Sequence, residues 1–214
     1  MKCAVCEQKK GKRNCPAKNA LICASCCGEK RVLEIACPET CDYLKSGRKH
    51  EAEEYAKLLR SLDPRSQERN SRVFHDHINV LGRLEYSFAQ ARFLSRGLRD
   101  KDAVQAVDLL LDKYRTEEKG LFYEKTSDDL RVESLRRELR EVMDSFRNPQ
   151  REEDPAVISP QDNRLPLSAA IDCLECIRSL IGAFQAEGRS DSAYVDFLAR
   201  FYPREEKRSS IILS

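Results

Sequence analysis

The sequence predicts a mainly α protein, a helical bundle with a small N-terminal cysteine-rich module. Three observations carry that expectation. Charged residues make up 35% of the chain and aromatics only 7%, with no Trp, a balance that suits exposed amphipathic helices better than packed strands. Apolar residues between positions 49 and 201 recur at intervals of three and four, the spacing of one helix face. Eight of the ten cysteines fall within the first 41 residues, apart from the periodic region.

Residues 1–46 form the cysteine module and 47–146 a helical domain. In that domain Phe74, Ile78, Leu81, Leu84, Phe88 and Ala91 share one stripe. Val104, Val107, Leu111 and Tyr114 make a second. Val132, Leu135, Leu139, Val142 and Phe146 make a third, regular enough to serve also as a short coiled-coil seam. The stretch 147–166 carries four prolines and no apolar period, so it reads as a loop or linker. In 167–203, Leu167, Ala170, Leu174, Ile177, Ile181 and Phe184 define another helix. A short last helix is capped by Ser190 or Asp191 and runs through Phe201 before Pro203. Gly120 and Gly188 mark helix ends, and 204–214 reads as a flexible tail. One-sided helices must bury their stripes against one another, so the C-terminal helices are expected on the same bundle.

In chain order the module reads Cys3-x-x-Cys6, Cys15, Cys23-x-x-Cys26-Cys27 and Cys37-x-x-x-Cys41. A C-x-x-C knuckle directs two sulfurs at one ion, and two knuckles plus a C-x-x-x-C within this length point to metal. Eight thiolates make two sets of four. The reading preferred here gives one Zn²⁺ to Cys3, Cys6, Cys23 and Cys26, and a second to Cys15, Cys27, Cys37 and Cys41. Adjacent Cys26 and Cys27 then face different ions, with Gly28 relieving the backbone after them. The spacing also allows a crossed grouping that exchanges Cys23 with Cys15 or Cys27 with Cys26. Pro38 suits the first turn of a helix, which would bring Cys37 and Cys41 onto one face at its positive end. His50 is a candidate replacement ligand, and an iron–sulfur cluster would use the same thiolates, though usually in tighter runs. With four protein ligands per ion no coordination position is open, as in structural rather than catalytic zinc sites.

The run "CPAKNALICASCCGEKRVLEIACPETCDYL", residues 15–44, resembles the N-terminal signature of a group of functionally uncharacterised bacterial proteins. In that group CP, CxxCCGxxR and CPxxCxYL precede a helical region. The matching positions are Cys15, Pro16, Cys23, Cys26, Cys27, Gly28, Arg31, Cys37, Pro38, Cys41, Tyr43 and Leu44. The resemblance implies that the cysteines act as a unit, and it implies no reaction.

After Met1-Lys2 the chain goes straight to Cys3, without the apolar stretch of an export signal, and no run approaches a membrane span. A reducing cytoplasm is therefore the expected setting, where clustered cysteines ligate metal instead of pairing. Residues 1–50 hold eleven Lys/Arg against five Asp/Glu. Eight thiolates with two Zn²⁺ would offset about four of those positive charges. The expected function is thus a non-enzymatic zinc-binding interaction or scaffold protein with a protein partner. One alternative is nucleic-acid binding through Lys9, Lys10, Lys12, Arg13, Lys30 and Arg31. Another is a thiol-based redox-responsive regulator in which oxidation ejects zinc. No phosphate loop, nucleophile elbow or H-E-x-x-H is present. His75 and His77 lie two apart, where a helix turns them away from one another. Cys173 and Cys176 fall on an amphipathic helix and read as core residues.

Overall fold

The computed structural model of the chain describes residues 1–149, 164–186 and 190–205. Two short antiparallel strands, β1 (Arg13–Cys15) and β2 (Ala20–Ile22), open the chain with Arg13 opposite Ile22. Helix α1 (Ala24–Lys30) completes the module. Among the described residues seven longer helices follow: α2 (Asp42–Ser61), α3 (Pro64–Asp76), α4 (Ile78–Leu94), α5 (Asp100–Glu118), α6 (Leu130–Arg147), α7 (Leu167–Ala186) and α8 (Ala193–Phe201). The fold is mainly α, as the composition and spacing predict.

The bundle assembles around α7, which packs on α5, α3, α2 and α8, while α4 packs on α8 and α6. The expected stripes supply the core: Leu84, Phe88, Val107, Tyr114, Leu139 and Ile177 have no exposed surface. The Val132–Phe146 stripe also faces inward, with Val132, Leu135 and Leu139 buried in the common core and not in a seam for another chain. Cys173 and Cys176 are fully buried there, and burial pushes the Cys173 thiol up to about 12 and Cys176 in the same direction. Both are core residues. No helix among the described residues is long and apolar enough to cross a membrane.

Several expected boundaries move. The Phe74–Ala91 stripe spans two helices, because the chain leaves helical geometry at His77 (φ −131°), whose N–H caps α3 on Val73 O at 2.8 Å. Ile78 consequently points outward, 52% exposed. Helix α2 starts at Asp42, not Pro38; residues 38–41 form a turn closed by Cys41 N–H on Pro38 O at 2.9 Å, and Cys41 is the N-cap. The N-cap of α8 is Ser192, while Ser190 contributes its carbonyl to Ala193 N–H at 3.1 Å. Gly120, at φ +77°, does close α5. Within the proline-rich stretch, 150–163 lie outside the described residues, as does Gly188. Of the expected tail, Arg204 and Glu205 are described, and Glu205 N–H donates to Gln90 Oε1 at 2.9 Å; 206–214 lie outside.

Helix α2 joins module and bundle. From Lys45 to Lys57 none of its residues is buried, but Tyr55 stacks on Phe197 at 5.2 Å and Glu51 pairs with Arg200 at 2.8 Å. Those contacts anchor the far half of the helix to α8, leaving its first turn to the cysteines.

Candidate metal centre

The first knuckle is a tight turn in which Glu7 N–H reaches Cys3 O at 2.9 Å and Glu7 takes a left-handed φ of 55°. The second knuckle is a helix start. Cys23 is the N-cap of α1, its sulfur accepts Cys26 N–H at 3.4 Å, and one turn of helix brings the Cys26 thiol alongside. Main chain joins the knuckles, because Cys23 N–H donates to Cys3 Sγ at 3.1 Å. The sulfurs of Cys3, Cys6, Cys23 and Cys26 all lie within 4.8 Å of one another, with Cys6 and Cys23 at 4.0 Å. Four sulfurs around a tetrahedral Zn²⁺ at 2.3 Å stand about 3.8 Å apart, so the set is close to coordination geometry.

The thiols of this group are pushed in opposite directions. Burial raises the Cys3 thiol, but the N–H groups of Cys6, Cys23 and Val5 together outweigh that and bring it down to about 6. The Lys9 and Gln8 amides lower Cys6. Burial, reinforced by Cys23, Cys6 and Cys3, pushes Cys26 up to about 12. Cys3 and Cys6 therefore favour the thiolate while Cys26 favours the thiol.

The remaining four module cysteines lie around a separate cavity, and among the described residues only the first set brings its sulfurs within 4.8 Å of one another. Cys15 ends β1, Cys27 follows Cys26 about 100° further round α1, Cys37 leaves the loop after Ile35, and Cys41 caps α2. Together they line one cavity of about 10 Å³ walled by Ile22, Ile35 and Leu44. Burial raises the Cys37 thiol; Val32 N–H partly offsets it, and Cys15, Cys41 and Cys27 add to it. Arg31 bridges the helices flanking this cavity, Nε donating to Cys27 O at 3.3 Å and Nη1 to Tyr43 O at 3.5 Å. A Cβ on Gly47 would lie 1.2 Å from Arg31 Nη1, so the bare helix surface there is what admits the guanidinium. Gly28, by contrast, is ordinary helix with room for a Cβ, its nearest neighbour being Arg31 Nη2 at 3.7 Å, so it relieves no crowding.

The six basic residues of the nucleic-acid reading divide. Lys9 donates to Ser25 Oγ at 3.0 Å, Lys30 pairs with Glu34 at 2.8 Å, and Arg31 is engaged as above. Lys10 and Lys12 are exposed, and the Arg13 guanidinium lies 5.0 Å over the Tyr43 ring. His50 is exposed on α2 in a cleft with Glu51 and Arg200, apart from the residues lining the cysteine cavity. His75 bonds Asp76 at 2.5 Å at the exposed end of α3. Sequence spacing missed the hairpin, α1 and the Arg31–Gly47 contact. Gly11 and Gly47 were the only local signals, and both report on partners distant in sequence.

Comparison of the chain with protein-family models, with curated proteins and with solved structures finds no match. The four-cysteine group Cys3, Cys6, Cys23 and Cys26 could hold a metal ion.

Proposed function

We propose that the chain is a non-enzymatic interaction or scaffold protein of the reducing cytoplasm, its N-terminal module held by two structural Zn²⁺ ions. One ion takes Cys3, Cys6, Cys23 and Cys26; the other takes Cys15, Cys27, Cys37 and Cys41. The observation that carries the reading is the convergence of the first four sulfurs within 4.8 Å. Supporting it, the other four cysteines line one small cavity. Bound zinc would supply the cross-links that this region lacks in apolar side chains: among the described residues around its cysteines, Ile22, Ile35 and Leu44 are the buried aliphatics, with Val5 partly buried. Each set fills four positions, which leaves none for substrate water and fits a structural role.

Adjacent cysteines give the test. Cys26→Ser and Cys27→Ser should each lower the zinc content by one ion and leave the other set of four intact, read by mapping which cysteines stay protected from alkylation. If both variants expose the same four cysteines, the interleaved grouping is wrong.

A further inference from the structure

The hairpin places Lys2 directly opposite Lys10 in an antiparallel bridge. Cys3 N–H bonds Lys9 O at 2.8 Å and Gly11 N–H bonds Met1 O at 3.2 Å, so the two lysines occupy a non-hydrogen-bonded pair, in which side chains stand closest. Like charges so placed repel. The next amide, Lys12 N–H, turns the other way to Ile22 O at 3.0 Å, as in an extended strand. Gly11 faces inward, since a Cβ there would meet Leu21 at 2.9 Å, so Lys10 and Lys12 both face outward. Lys2, Lys10 and Lys12 are all exposed, and none pairs with a carboxylate among the described residues. Most arginines of the bundle are paired, Arg69, Arg92, Arg147 and Arg178 among them. Arg13, next in the chain after Lys12, lays its guanidinium 5.0 Å over the ring of Tyr43, which is 39% exposed.

We propose that this face is a binding surface for single-stranded nucleic acid. Lys2, Lys10 and Lys12 contact successive phosphates, and Tyr43 with Arg13 offers a stacking platform for a base. A row of unpaired cations without regard to sequence, next to an aromatic ring, is what a single strand needs, because every base has a π face and every phosphate a charge. Contacts to the backbone dominate, so recognition is tolerant of sequence. The proposal names the partner of the metal-held module and rests on that reading for the rigidity of the hairpin.

The test uses the full-length protein with its zinc content measured on the same sample. Fluorescence anisotropy follows a labelled mixed-sequence single strand of about 12 nucleotides, with duplex DNA, polyglutamate and anionic vesicles as the other arms. The expected result is single-strand binding that weakens with salt, with a log–log slope of about −2 to −3 for three or four cations. The Lys2→Gln/Lys10→Gln/Lys12→Gln variant should flatten that slope at unchanged zinc content. Tyr43→Ala should weaken binding about ten-fold. Zinc-loaded protein that binds no oligonucleotide at about 50 mM salt overturns the proposal and leaves the metal reading standing. An unchanged slope in the triple variant, or tighter binding to duplex, polyglutamate or vesicles, overturns it as well. Binding by protein that carries no zinc would support the surface and contradict the metal reading.

Discussion

Gly11 and Gly28 make a controlled pair at the residue scale. A methyl at Gly11 meets main chain, Leu21 O at 2.9 Å, which cannot rotate away, whereas one at Gly28 meets only the end of Arg31 at 3.7 Å. Gly11→Ala should therefore loosen the hairpin that carries Cys15 and speed zinc loss to a chelator, while Gly28→Ala behaves as wild type. Glu85 supplies a second, independent prediction. Its carboxyl accepts a hydrogen bond from Tyr202 Oη at 2.9 Å, but burial against the bundle dominates and raises its pKa from 4.5 to about 7. Below pH 4.5 the group is protonated folded and unfolded, and its contribution is intact. As pH rises from 4.5 toward 7 the unfolded chain ionises first, so stability falls, by up to about 3 kcal/mol, and then levels. Glu85→Gln should remove that part of the pH dependence in denaturant titrations at pH 5 and pH 8 and gain stability chiefly at the higher pH. A variant less stable than wild type at both would show that the carboxylate is not what the core resists.

Element boundaries follow from contacts that spacing does not encode. The N-terminus of α8 is held from another helix: Asp100, in the first turn of α5, accepts Tyr194 N–H at 3.0 Å and Val195 N–H at 3.1 Å. Its own N–H reaches back to Asp191 O at 2.8 Å. Neighbouring Ser190 and Asp191 drew the sequence reading because cap residues are usually local, and here the carboxylate comes from about ninety positions away. Asp100→Ala removes both acceptors in a buried place and should cost roughly 2 kcal/mol, with amide exchange rising first at Tyr194 and Val195. Where cap and helix are neighbours the signal is local, though the apolar spacing passed over it: Asp63 accepts Ser66 N–H at 3.0 Å ahead of Pro64 at the start of α3. The break at His77 escaped notice for the opposite reason. The apolar stripe continues through it in register, so periodicity alone joins what backbone geometry separates.

At the scale of the whole molecule, two bodies of unlike construction share one chain. The bundle closes a large apolar core drawn from α2 to α8, whereas the module buries cysteines and little else. Helix α2 links the two, with Cys41 as its N-cap at one end and Tyr55 stacked on Phe197 at the other, so under the proposed zinc reading order in the module would pass to the bundle through it. This division was legible in the crowding of cysteines before position 41 and the helical periodicity after it, because both signals are local. The juxtaposition of Lys2 with Lys10, the seat of Arg31 over Gly47 and the pairing of Glu85 with Tyr202 were not, since each joins residues that only the folded chain brings together. The central claim is that both sets of four cysteines hold zinc. Native mass spectrometry of the intact protein, purified without added metal or chelator, weighs it directly. A mass increment of two Zn²⁺ per chain is the result predicted. One ion, none, or the mass of iron and inorganic sulfide would contradict it.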